Sequence, residues 1–84
     1  VSVHIRYFAA AKAILGVSEE QRAAAGQTIG ELMTELATSA PDASAAVTVL
    51  DRCSFLVNTR ATTDRSVLLR DGDQLDVLPP FAGG

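Results

Sequence analysis

Between Ser2 and Phe8 the chain alternates, with Val3, Ile5 and Tyr7 on one side and Ser2, His4 and Arg6 on the other. That two-residue period predicts a half-buried strand. The Ala-rich run Ala9 to Leu15 favours helix and stops at Gly16, a suitable helix C-terminus. Val17 to Ala25 has poor sheet faces, and its neighbours alone assign it as a second strand. Thr28 followed by Glu31 has the spacing of a capping box, and Ile29, Leu32, Met33 and Leu36 then recur at helical intervals, predicting the main amphipathic helix, ending near 38–40. Pro41 and Asp42 open a shorter helical stretch to about Asp51, with Ala46, Val49 and Leu50 on one side, read as peripheral. Cys53 to Asn58 is rich in strand formers, and Val67 to Leu69 is another short apolar run. Asp71-Gly72 marks a turn, read as a hairpin, before the alternation of Gln74 to Val77, which Pro79-Pro80 must end. The order of elements predicts an α+β fold: a mixed sheet of four or five strands clasping one main amphipathic helix, as in the β-grasp topology.

Composition narrows the classes of function. The 84 residues are 48% hydrophobic and 5% aromatic, and 14 of them are Ala, which leaves enough bulky apolar side chains for one small core. A net charge of -3 without acidic or basic blocks provides no field to hold a polyanion, so neither nucleic acid nor an anionic membrane is an expected partner. No apolar run approaches the roughly 20 residues of a spanning helix, and no charged region followed by an apolar stretch is read as a secretory signal. One cysteine, Cys53, and the lack of His/Cys clusters fit a reducing, cytoplasmic setting without a structural metal.

The candidate chemistry lies at the far end. After the last strand the chain runs Leu78-Pro79-Pro80-Phe81-Ala82-Gly83-Gly84. The body is expected to span residues 1–78 and an extended, flexible Gly-Gly tail 79–84. Two prolines stiffen the exit, and glycines without side chains can enter a narrow channel. Six residues reach at most roughly 20 Å when extended. A terminal carboxylate is an acyl group awaiting activation.

The opening Val3-His4-Ile5-Arg6-Tyr7-Phe8-Ala9-Ala10-Ala11, the strand Phe55-Leu56-Val57-Asn58, the turn Asp71-Gly72-Asp73 and the closing Val77-Leu78-Pro79-Pro80-Phe81-Ala82-Gly83-Gly84 together resemble the small subunits of molybdopterin synthase. These are the MoaD-type branch of the MoaD/ThiS family of ubiquitin-like sulfur carriers. The resemblance covers the whole chain and implies a ubiquitin-like β-grasp protein that is not catalytic alone. It implies that an ATP-dependent adenylyltransferase, related to ubiquitin-activating enzymes and itself using ATP and Mg, converts the carboxylate of Gly84 into an acyl adenylate. Sulfur from a sulfurtransferase donor would replace AMP, and the thiocarboxylate would deliver sulfur to cyclic pyranopterin monophosphate on the synthase large subunit, in a heterotetramer. Carried over residue by residue, Gly84 bears the sulfur, Gly83 and Ala82 enter the partner, Phe81 sits in the tail, and Pro79 and Pro80 direct the arm away from the sheet. Lys12 stands where the family commonly has Arg, and an ammonium lacks the planar fork of a guanidinium. A carrier for thiamin thiazole or another sulfur pathway, and a ubiquitin-like modifier joined through Gly84 to a lysine, are the alternatives. The helix after the first strand and the chain's length favour the first reading.

Other candidates are weaker. Cys53 begins a strand-like run with nothing nearby to activate it, so it reads as a buried structural residue. His4 has no companion carboxylate at a usable spacing, Asp71 and Asp73 lack the remaining ligands of a cation loop, and Arg60, Arg65 and Arg70 read as a solvated face. No nucleophilic triad or P-loop can be assembled, so no cofactor is expected on this chain.

Overall fold

A computed structural model describes residues 2–80. Strand β1 (Val3–Tyr7) leads into helix α1 (Ala9–Leu15) and strand β2 (Glu19–Arg22); helices α2 (Ile29–Ser39) and α3 (Ala43–Leu50) follow, then strands β3 (Ser54–Val57), β4 (Arg60–Thr62) and β5 (Gln74–Leu78). The strands form one mixed sheet in the order β2-β1-β5-β3-β4. β5 is central: it runs parallel to β1, Tyr7 opposite Val77, and antiparallel to β3, Phe55 opposite Val77.

Alternation decides which face is covered. Val3, Ile5 and Tyr7 from β1, Phe55 from β3 and Leu75 and Val77 from β5 meet Ile29, Leu32, Met33 and Leu36 of α2 in one core. Each of these side chains is buried, and burying an aliphatic or aromatic side chain contributes about 1.5–3 kcal/mol before entropy is charged against it. The capping box at the start of α2 is complete, with Glu31 N–H donating to Thr28 Oγ1 at 3.1 Å and Thr28 N–H to Glu31 Oε1 at 2.8 Å. Gly16 closes α1 in the left-handed conformation (φ 79°), its N–H reaching the Lys12 carbonyl at 2.9 Å.

Four expectations are revised. Helix α3 is not peripheral: it lies against α1 and α2 and buries Ala46 and Leu50 in the core. The second strand is confined to Glu19–Arg22, because only these residues find partners on β1. Val67–Leu69 forms no strand; its backbone serves the entrance of α2, taking Ile29 N–H on the Val67 carbonyl and joining Thr28 through a lone bridge at Leu68, while Leu69 is buried. The fourth strand is instead Arg60–Thr62, joined to β3 through Asn58 and Thr59, both at positive φ (50° and 73°). Consequently the Asp71-Gly72 turn does not connect two paired strands. Gly72 takes the left-handed conformation there, and Asp71 accepts the Ser2 N–H at 2.8 Å, tying the entrance of β5 to the start of β1.

Polar β2 is held by a network that its own sequence does not announce. Tyr7 Oη donates to Glu20 Oε2 at 2.6 Å, Arg22 bridges Glu20 and Glu35 at 3.4 and 3.3 Å, and Gln27 donates to Glu35 at 3.0 Å. Burial first, and then the hydrogen bond to Glu20, push the Tyr7 phenol well above its usual range. The hydrogen bonds of Gln27 and Arg22 hold the Glu35 carboxyl below its usual range.

Candidate functional site

Parallel pairing fixes where the arm begins. Because β1 and β5 point the same way, β1 passes into α1 at the sheet end where β5 passes into Pro79. Phe8 N–H reaches the Val77 carbonyl at 3.3 Å, and Ser54 Oγ the Leu78 carbonyl at 3.5 Å. Phe8, Ala9, Ser54, Leu78, Pro79 and Pro80 line a mostly apolar hollow around this exit. Ala9, the first residue of α1, has φ 49°, a left-handed conformation that costs a residue with a Cβ about 1–2 kcal/mol. That turn carries the chain from strand to helix within a single residue and leaves Phe8 38% exposed.

Behind the hollow is the sheet face not covered by helices. Register places Glu19, Arg6, Asp76, Leu56 and Ala61 in one row across it. Asp76 is only 2% exposed, the one buried charged residue among those described. Arg6 satisfies it with two parallel bonds, Nε to Oδ1 and Nη2 to Oδ2, both 2.8 Å. This planar fork is the strong form of the Arg–carboxylate pair. The hydrogen bond to Asp76 and then its charge raise the Arg6 pKa further above its ordinary value. The guanidinium also lies 5.5 Å from the centre of the Phe8 ring, a cation–π distance. Arg6 therefore both neutralises the buried carboxylate and steadies an exposed aromatic at the root of the arm.

Of the six tail residues singled out from the sequence, Pro79 (half-buried) and Pro80 (exposed) stand at this exit; Phe81, Ala82, Gly83 and Gly84 lie outside the described residues. Sequence reasoning missed Arg6, Phe8, Leu78 and Asp76 as neighbours of the arm. Only the outward position of Asp76 between Leu75 and Val77 hinted that something must answer a carboxylate in mid-strand.

The remaining candidates sort clearly. Cys53 is buried, its Sγ donating to the Val49 carbonyl at 3.4 Å, and burial pushes the thiol up to about 11, so it is inert as a nucleophile. His4 does have a carboxylate neighbour, Glu19 Oε1 at 3.5 Å, brought there by the β1–β2 register and not by spacing along the chain. Arg65 is not a solvated side chain: it donates to the Leu50 carbonyl at 2.6 Å and lies 5.1 Å from the Phe55 ring centre, capping α3 from a distance. Asp73 is occupied by Asn58 Nδ2 and the Arg70 N–H, both at 2.8 Å. Among the described residues no cluster of three or more His, Cys, Asp or Glu could hold a metal, and no helix is long and apolar enough to cross a membrane.

A mixed sheet in this order, gripping one capped helix and releasing its central strand into a Pro-Pro exit, is the ubiquitin-like β-grasp. Solved structures share it. The small archaeal modifier protein SAMP1 of Haloferax volcanii superposes with a TM-score of 0.74 at 22% identity over all of both chains. SAMP1 of Methanosarcina acetivorans gives 0.76 at 19% over all of this chain and 97% of that one. The complex of subunits 1 and 2 of the molybdopterin-converting factor of Helicobacter pylori gives 0.69 at 24% over all of both chains. No curated protein matches by sequence. The ThiS family matches residues 5–84, and the chain belongs to it.

Proposed function

We propose that this protein is the sulfur-carrying small subunit of a molybdopterin synthase. The single observation carrying this reading is the exit of central strand β5 through Pro79-Pro80 beside an apolar rim, in a chain whose family match runs to Gly84. The Gly84 carboxylate attacks the α-phosphorus of ATP on an activating partner that holds ATP and Mg, and pyrophosphate leaves. A carboxylate is a poor electrophile and its mixed anhydride with AMP a good one, so the terminal sulfur of a donor protein's persulfide displaces AMP, and a second thiol then cleaves the acyl disulfide, forming a disulfide with the donor and freeing the thiocarboxylate. The thiocarboxylate arm enters the large subunit, two carriers to a large-subunit dimer, and gives its sulfur to cyclic pyranopterin monophosphate. Phe8, Leu78 and the row behind them form the docking rim, an arrangement in which an exposed aromatic supplies the anchor.

The test is intact mass after incubation with an activating enzyme, ATP and a sulfur donor. Exchange of one oxygen for sulfur adds roughly 16 Da. The gain is expected to vanish when Gly84 is deleted, and no gain from the wild-type chain overturns the reading. Adding the large subunit and the pterin precursor identifies the pathway, since dithiolene formation with loss of the sulfur belongs to this one alone. The likeness to two archaeal modifier proteins favours a second reading, conjugation of Gly84 to lysines of other proteins; isopeptide-linked products in place of dithiolene would select it.

A further inference from the structure

Asp71-Gly72 is the chain's only Asp-Gly pair, and no Asn-Gly pair occurs; every other Asp, and Asn58, precedes a residue with a side chain. An Asp-Gly pair is the one whose backbone closes on itself most readily, because glycine has no Cβ to shield its amide nitrogen or restrict its approach to the preceding carboxyl. Both residues are exposed, at the turn that feeds central strand β5, and the space where a Gly72 Cβ would stand is open. Yet the two groups that would react are both held by Ser2. Ser2 N–H donates to Asp71 Oδ1 at 2.8 Å, and Gly72 N–H donates to the Ser2 carbonyl at 2.9 Å. The first bond favours the carboxylate, the form that does not lose an oxygen, and the second occupies the amide that would attack. Ser2 stands just ahead of β1, its Oγ on Gln21 Oε1 at 3.1 Å. Strand ends open locally at far lower cost than the whole fold, so lifting Ser2 removes both restraints together.

We propose that Asp71-Gly72 is a latent site of backbone isomerisation, held closed by Ser2 in the folded protein and converted to isoaspartate when the leading end of β1 lifts. The Asp71 carboxyl takes up a proton and the Gly72 nitrogen attacks its Cγ. The N–Cγ bond forms, a Cγ–O bond breaks, and the oxygen leaves as water with the amide proton. The resulting five-membered succinimide takes up one water at the main-chain carbonyl carbon of Asp71, where the original C–N bond breaks, and the chain then runs through Cβ and Cγ. One water is lost and one gained, and no oxidant or reductant is involved. The product carries one extra methylene in the main chain between the Asp71 Cα and the Gly72 nitrogen. It enters where Gly72 bonds Ser2, beside the rung in which His4 N–H reaches the Asp73 carbonyl at 3.0 Å, so the turn no longer recloses on Ser2 and the entrance of β5 loses its tie to β1. The conversion runs one way and records the time this end of the sheet has spent open.

Peptide mapping with electron-based fragmentation, which separates isoaspartate from aspartate at equal mass, tests it on the full chain kept in warm neutral buffer. The wild-type protein is expected to gain isoaspartate at Asp71 about a hundredfold more slowly in native buffer than in denaturing urea, the difference set by the local opening. Ser2→Pro, which deletes the N–H holding the carboxylate, should raise the native rate about tenfold with the circular dichroism spectrum unchanged. Equal rates in native buffer and urea overturn the proposal, as does folded Ser2→Pro at the wild-type rate. Should Ser2→Pro not fold, hydrogen exchange of the wild-type protein decides. Urea below the unfolding midpoint should speed isomerisation in step with exchange of the Gly72 amide; isomerisation that follows instead the amides of Leu75 and Val77, within the central strand, removes Ser2 as the lock.

Discussion

Cys53 shows how burial alone can decide a residue's chemistry. Its ordinary thiol pKa of 9.0 is pushed up to about 11 by desolvation, which the positive charge of Arg65 offsets only in part. The sign follows directly: the folded state holds the proton more tightly, so this contribution to stability is complete below about pH 9 and is lost as pH rises towards about 11. Between pH 8 and 11 the wild-type protein should lose about 1–2 kcal/mol more than Cys53→Ala, read from urea midpoints at each pH; equal losses would contradict it. Tyr7 titrates in both proteins and drops out of the comparison. The buried role of Cys53 was legible from its place at the head of a strand-like run. The roles of His4 and Arg65 were not, because Glu19 and the Leu50 carbonyl reach them across the fold, and distance along the chain says nothing of either.

At the level of elements, legibility followed locality. The start of α2 was readable because both halves of its capping box lie within four residues, and α1 because Ala-rich sequence ends on a glycine. Strand β4 was hidden, since its hairpin is closed by Asn58-Thr59, where the primed turn favours Asn-Gly. Thr59 sits at φ 73°, a conformation a β-branched residue adopts only under strain. Thr59→Gly is therefore expected to stabilise the protein by about 0.5–1 kcal/mol, the relief of strain outweighing the added chain entropy; a lower urea midpoint would show that the side chain holds the turn by some other means. β2 was equally obscure for a different reason: Glu19, Glu20, Gln21 and Arg22 have no strand pattern and are recruited by β1 and by the Tyr7–Glu20 bond. The arm itself was plain from the end of the sequence, but its rim joins the end of β1 to the end of β5, seventy residues apart, and only the parallel register brings Phe8 to Leu78.

For the molecule as a whole, one sheet face is spent on the core and the other, with Arg6 and Asp76 on it, is left uncovered by helices. The exposed Phe8, steadied by Arg6 over the buried Asp76, makes that division testable. Phe8→Asp should fold with an unchanged circular dichroism spectrum, since the ring is not in the core, yet slow sulfur loading by the activating enzyme about tenfold, the loss of one interface anchor. Loading at the wild-type rate would remove Phe8 from the docking face. The central place of β5 has a mechanical consequence too. A pull on the arm runs along a strand hydrogen-bonded on both sides, to β1 and to β3, so two ladders are loaded in shear and must yield together. The same pull applied at β4 meets one ladder of three residue pairs and can peel it a bond at a time. A pull through Pro79 is thus resisted more strongly than one applied at β4, so the end of the body that carries the Pro-Pro exit is also its mechanically firmer end.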